Sequence, residues 1–375
     1  SIDWTGQLIS CDEQVVDTLS MAIPSDQHAL FSPSMDSFLD LTNWIQKEGL
    51  PIAQSFAYFN PYQSLIQRYR EQLGLDLPDM IARQFKVRGV AVTGGDPYFP
   101  SGTDVAVVFD PVDPKVFHEL LLTTIRIKAV AKQATTHNMT GDGWDAVSYV
   151  TPDRSFSCHI TQIGRYVVVA NSAAQIRKLA SVAAGEDEAL GSLDEFRFFR
   201  QRYPSQADET GFLFISDPTI RRWCGPESRI AASRRARATA ALLDLTTSSI
   251  EGSPLQDTYK TILGKVSCSS GKVISEVHGS LGFMTPISEL GIVTASEREK
   301  TAYETWRTGY ETGWPVRFDP IAIRFTASDK NRGMDLSIIP LTAGSDYEEL
   351  INLAGKAHLS ERSRSVPDGA SFFLS

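Results

Sequence analysis

Six histidines, His28, His118, His137, His159, His278 and His358, are the side chains best suited to proton transfer or metal ligation near neutral pH. Their spacing argues against a metal, since no two stand as HxH or HExxH. His118-Glu119 falls inside a helical pattern with no second histidine four residues on. His159 belongs to the extended run Ser157-Cys158-His159, where alternation puts Ser157 and His159 on one face. A serine or cysteine beside a histidine is the raw material of a nucleophile. The same run reads equally as the polar face of a half-buried strand, and that reading is adopted. The four cysteines, Cys11, Cys158, Cys224 and Cys268, show no CxxC or other ligand spacing, so neither zinc nor any other metal or cofactor is expected. They leave open three disulfide pairings or none.

Three short matches carry less than they suggest. Ser269-Ser270-Gly271-Lys272 has the SxxK form of serine enzymes that act on β-lactams, but no KTG accompanies it and it falls in a hairpin pattern. Thr140-Gly141-Asp142-Gly143-Trp144-Asp145 is rich in oxygen ligands, yet it lacks the closing glutamate of an EF-hand loop and reads as a turn. Asn138-Met139-Thr140 is a formal glycosylation sequon and means nothing outside a secretory eukaryotic setting.

The strongest local bias is a run of arginines. Arg221, Arg222, Arg229, Arg234, Arg235 and Arg237 surround Gly225-Pro226 in a chain of net charge −9. Guanidinium groups in such number suit an anion, a lipid head-group or an acidic protein. They equally suit a solvated helix face paired with the chain's own carboxylates. Tyr303, Trp306, Tyr310 and Trp314 recur at helical spacing, the pattern of a buried face; sugar stacking is the alternative.

The elements that must position these residues are announced by a repeated junction. An apolar run ends in Ser, Asn or Asp, then Pro, then a helical pattern: Ser32-Pro33, Asn60-Pro61, Asp110-Pro111 and Ser216-Asp217-Pro218. A polar N-cap accepts a bond from free helix N–H groups, and proline at the first helical position gives up an N–H that would be orphaned anyway. Asp319-Pro320 is a fifth case, followed by a strand pattern. Residues 146–150, 156–160 and 166–170 read as a meander, followed by a helix over 173–184. A further helix spans 228–245. Hairpins are predicted around Ser270-Gly271 and around residues 330–333. Ser296 with Glu299 forms a capping box opening the Tyr303 helix, and residues 347–357 are helical.

The fold class is α+β, with antiparallel sheets, helices packed on one face and repeated strand–cap–Pro–helix units. The expected division is a first domain over 1–220, an Arg-rich helical connector over 221–255, a second α+β region over 256–365 and the start of a further repeat at 366–375. The last segment echoes residues 24–31. The chain opens at Ser1 without methionine and closes on a strand pattern, so a piece of a longer protein is expected, its targeting segment already removed. Composition is ordinary for a globular protein, at 42% apolar and 22% charged residues. An acidic balance argues against nucleic acid as partner, and no apolar run reaches the ~20 residues that span a bilayer.

Across most of its length the chain resembles a family of uncharacterised bacterial proteins, frequent in planctomycete-type bacteria, that share a domain of unknown function. Many members are predicted envelope proteins or lipoproteins. The resemblance lies in Ile23-Pro24 through Phe31, Leu73-Gly74-Leu75-Asp76-Leu77, and Gly164-Arg165-Tyr166-Val167-Val168-Val169-Ala170 with Leu179. It continues through Ser192-Leu193 to Phe196 before Tyr203-Pro204, then Phe214 to Arg222, Gly225-Pro226 and the arginine-rich helix. It ends in Ala302-Tyr303 through Trp314 to Phe318-Asp319-Pro320-Ile321. It implies export, a periplasmic or envelope location and a tether outside this segment, and it implies no activity; a cytoplasmic location is the alternative.

The function expected is therefore that of a non-catalytic envelope or assembly protein working through contacts with other proteins. The six arginines are its candidate partner or anion contact. Two alternatives stand beside it: a hydrolase with a site assembled from distant residues near His159 or His278, and a glycan-binding module.

Overall fold

The structure, a computed structural model, describes residues 17–49, 64–205, 208–251, 262–269, 272–313, 318–327 and 331–340. In chain order the strands are β1 (His28–Ser32), β2 (Val87–Gly94), β3 (Ala106–Pro111), β4 (Thr135–Gly141), β5 (Trp144–Val150), β6 (Ser157–Ile163), β7 (Tyr166–Ala170), β8 (Glu209–Ile215), β9 (Val266–Ser269), β10 (Lys272–Ser275), β11 (Gly279–Ser280), β12 (Phe318–Ala327) and β13 (Arg332–Pro340). The α-helices are α1 (Met35–Trp44), α2 (Leu65–Gln72), α3 (Asp79–Ala82), α4 (Pro114–Ala131), α5 (Ala173–Ala183), α6 (Asp194–Arg202), α7 (Asp217–Cys224), α8 (Pro226–Glu251) and α9 (Glu297–Gly313).

Ten strands form one sheet in the order β13-β12-β8-β1-β2-β3-β7-β6-β5-β4, with every neighbouring pair antiparallel. A small sheet, β11-β10-β9, stands apart under α8. The α+β class and the antiparallel sheet are as expected. The helices cover both faces of the large sheet, however, where one face was expected. The reason lies in the central strands: β3 is buried at every position and β7 at four of five, so both faces need a cover. Val107, Phe109, Val167 and Val169 pack under α1, α2 and α4 through Leu39, Leu73, Phe117 and Leu121. Ala106, Val108, Val168 and Ala170 face α5 and α6 through Ile176, Leu179, Phe196 and Phe199. Each fully buried large side chain contributes roughly 1.5–3 kcal/mol by leaving water. Ala29, Thr93, Ala106 and Ala170 lie side by side across four strands, a row of small residues beneath Ile176.

The sheet crosses the boundary drawn at residue 220. β12, placed by sequence in a second region, pairs with β8 from Ile321↔Ile215 to Thr326↔Glu209 and adds β13 outside it. Pro320 is tolerated there because the β12–β13 register shifts between Phe318 and Ile321, an irregularity that needs no ladder N–H. The expected repeat at 366–375, the helix at 347–357 and the Asn60-Pro61 junction lie outside the described residues.

The cap readings hold in part. Ser216 accepts from the Thr219 N–H and opens α7, with Pro218 in its first turn, as expected. After β1 the cap is Ser34, not Ser32, which stays in the strand and donates to the Thr210 carbonyl. After β3 the cap–proline pair is Asp113-Pro114, three residues past Asp110-Pro111. Asp110 remains in the strand because it is buried between Arg88 and Arg165. The capping box at Ser296–Glu299 is present with both reciprocal bonds.

Candidate functional site

The arginine-rich segment begins where β8 hands over to α7. Arg221 pairs with Asp217 one turn back, at 2.6 Å, and Arg222 reaches Asp26 at 3.4 Å. Trp223 donates to the Gly95 carbonyl and fixes α7 against the β2–β3 loop. Gly225 breaks the helix and Pro226 starts α8. On α8, residues 234 and 235 are one step apart, so they point about 100° away from each other. Arg235 turns inward and is 4% exposed; it donates to the Gly102 carbonyl at 2.6 Å and to Ser101 Oγ, with its guanidinium over Tyr98. Gly102 is in the left-handed region, at φ +116°, and a Cβ there would collide with the Met284 backbone. Arg235 therefore staples α8 to the β2–β3 loop and takes no part in any surface.

Arg229, Arg234 and Arg237 turn toward α9. Arg234 holds Glu299 through two bonds of 2.9 Å, and Arg237 donates to the same carboxylate at 2.7 Å. Glu299 also closes the capping box with Ser296. The Arg234 hydrogen bonds, with those of Ser296 and Arg237, hold its carboxyl far below the usual carboxylate range. The Arg229 guanidinium lies 4.1 Å from the Trp306 ring centre, a cation–π contact. Trp306 in turn stacks on Tyr310 at 5.0 Å and 20°. The aromatic stripe is helical as expected, but Tyr303, Trp306 and Tyr310 are half-buried rather than core, and Trp314 lies outside the described residues.

Two hollows flank Arg237. The smaller, of about 380 Å³, is lined by Arg229, Arg237, Arg298, Glu299, Tyr303 and Trp306 among others. Three guanidiniums and one carboxylate thus share its lining. Arg298 is exposed and has no ion pair among the described residues. The larger hollow, of about 840 Å³, takes Arg234 and Arg237 on one side and Arg154, Glu289 and His278 on the other. Arg154 and Glu289 neutralise each other in a two-bond pair at 2.9 and 3.0 Å. The excess positive charge therefore belongs to the α8–α9 side. Of the six arginines singled out by sequence, the structure brings Arg229, Arg234 and Arg237 together. It sends Arg235 inward and ties Arg221 and Arg222 to acids near α7.

Arg298 and the dominant acid Glu299 were not singled out as site residues. The signal was present, since the capping box fixed Glu299 in the first turn of α9.

The histidines offer less. His159 Nδ1 is 2.7 Å from Ser148 Oγ across β5–β6, so it meets a serine other than the expected Ser157, which donates to the Asn171 carbonyl. Burial pushes the His159 ring down to about 4, with the nearby Glu289 opposing. His159 lines neither hollow. Cys158 faces the opposite side of the sheet, and burial pushes its thiol up. His278 does border the larger hollow, but it is 6% exposed and burial lowers its pKa. The SxxK pair spans the β9–β10 hairpin, Lys272 opposite Ser269, with Lys272 bound to Asp153 at 3.0 Å. Cys158, Cys224 and Cys268 are unpaired thiols, and no cluster of metal-ligating side chains occurs among the described residues. Comparison with protein-family models, with curated proteins and with solved structures finds no match in any of the three.

Proposed function

We propose that this protein is a non-catalytic binding protein whose α8–α9 face takes an acidic partner protein. The observation that carries the reading is the hollow lined by Arg229, Arg237 and Arg298 against the single carboxylate Glu299, with Tyr303 and Trp306 as its apolar wall. Guanidiniums form forked bonds to carboxylates, and arginine with tryptophan and tyrosine is the composition of interface centres. Arg229 is already stacked, and Arg234 and Arg237 are already oriented by Glu299, so little side-chain entropy remains to be lost on binding. An envelope location accompanies this reading on the strength of the family resemblance. No described helix is long and apolar enough to cross a membrane.

The test is titration calorimetry of the purified chain with a glutamate-rich peptide, at low and at physiological salt. Binding should weaken with salt and by roughly tenfold for each of Arg237→Glu and Arg298→Glu. Reversing Arg235 is not informative, because that guanidinium is an internal staple. Affinity unchanged by both surface reversals would end the proposal. A second reading, an acidic glycan, is favoured by the Trp306–Tyr310 stack. Trp306→Ala separates the two, since it should abolish glycan binding and only weaken peptide binding.

A further inference from the structure

A cavity of about 410 Å³ lies between the sheet and helices α1, α2 and α4. Val92, Val105 and Val107 form its floor, and Phe38, Leu73 and Leu121 are among its walls. Among the described residues only three that line it, Thr42, Tyr69 and Arg70, carry polar side chains, and two are already satisfied. Thr42 donates to carbonyls of its own helix, at Phe38 and Leu39. Tyr69 donates to the Phe99 carbonyl at 2.8 Å and accepts from the Thr103 N–H at 3.0 Å. The third, Arg70, is different. Its Nη2 donates to the Leu77 carbonyl and stands 3.5 Å from Asp79, while its Nε and Nη1 have no partner among the described residues. Its side chain is 22% exposed.

We infer that this cavity binds a fatty acid, with the acyl chain inside and the carboxylate at Arg70. Water finds no polar partner in such a lining, and an empty space would forfeit the packing contacts of every wall. A hydrocarbon chain restores those contacts and asks for no hydrogen bond. By proportion to an apolar cavity of about 150 Å³ that holds benzene, the space suits roughly sixteen carbons. The size falls within the range of small-molecule pockets. The unused N–H groups of Arg70 supply the one polar feature such a ligand needs, a cation for its head. This site shares no residue with the α8–α9 hollows, so it stands or falls independently of the acidic-partner reading.

The experiment is displacement of a dansylated fatty acid from the delipidated full chain by saturated fatty acids of about ten to about eighteen carbons, and by the matching alcohols. Affinity should rise with length and level off when the cavity is full, at one ligand per chain. The acid should bind more tightly than the alcohol, and Arg70→Gln should remove that difference. Val107→Phe and Leu121→Phe, which fill the cavity from floor and wall, should each weaken binding at least roughly tenfold. If neither filled variant folds, the wild-type length dependence decides. Absent saturable binding, or affinity indifferent to chain length, would overturn the inference. Equal affinity for acid and alcohol in the wild type would overturn the role of Arg70.

Discussion

Glu195 shows how a single buried group can make stability depend on pH. It lies in the first turn of α6, 5% exposed, and accepts the Asp217 N–H that begins α7. Burial pushes its carboxyl up to about 7, and Asp217 opposite adds to the rise. The folded state therefore holds a proton that the unfolded chain releases near 4.5, its ordinary value. Between those two values the folded form binds more protons, so stability falls as pH rises from about 4.5 to about 7. Glu195→Gln keeps the acceptor oxygen and removes the charge. It should raise stability by roughly 1–3 kcal/mol at pH 8 and change nothing at pH 4. Urea unfolding at both pH values measures this, and equal effects at the two would refute the assignment. Nothing in the sequence marked Glu195, because its pKa is set by burial beneath elements far away in the chain, Asp217 at the start of α7 among them. The arginines were visible as a cluster but not as a site. Which of them turn outward depends on the α8 phase against α9 and the β2–β3 loop, and those partners lie 62 and 133 positions away.

Local chemistry writes the beginnings of elements more clearly than their pairing. Ser216-Asp217-Pro218 and Ser296 with Glu299 were legible because cap and helix are contiguous. Asp110 misled because its burial between Arg88 and Arg165 kept it in the ladder, and Asp113 caps instead. β4 gave no signal at all: Thr135, Thr136, His137 and Asn138 are exposed at the rim of the sheet, so no apolar alternation marks it. The same rule governs α9. Its residues are mostly exposed, and it is held to α8 by the Glu299 ion pairs and the Arg229–Trp306 contact, and to the end of α7 by a 3.4 Å bond from Tyr303 to the Cys224 carbonyl. Glu299→Gln should loosen that docking. Amide exchange over 297–313 should accelerate by roughly tenfold while the global midpoint moves little, since local opening and global unfolding are separate processes. The same variant should bind the acidic peptide more tightly, because it frees two guanidiniums. Faster exchange with weaker peptide binding would show that the hollow needs Glu299 for its shape more than it suffers from its charge.

At the scale of the molecule, the sheet decides what can stand alone. β8 pairs with β1 on one side and β12 on the other, joining residues near 30, 213 and 323 in three adjacent strands. The regions drawn on either side of residue 220 therefore share one sheet. The 375-residue chain should unfold in a single denaturant transition, with circular dichroism and tryptophan fluorescence coincident. Residues 1–255 expressed alone would lack β12 and bare the β8 edge, whose Phe212, Leu213 and Phe214 would meet solvent or another chain. An uncovered apolar edge strand is a template for pairing. The fragment should therefore unfold at lower urea and elute as an oligomer on size exclusion. A monomeric fragment with the midpoint of the 375-residue chain would mean that β12 and β13 contribute nothing to the stability of the rest. The functional consequence follows from the same pairing. α9 precedes β12 in the chain and α8 follows β8, so a sheet that joins β8 to β12 brings together the two helices whose arginines and aromatic residues line the smaller hollow. The fragment should lose acidic-peptide binding altogether, even in the fraction that remains folded.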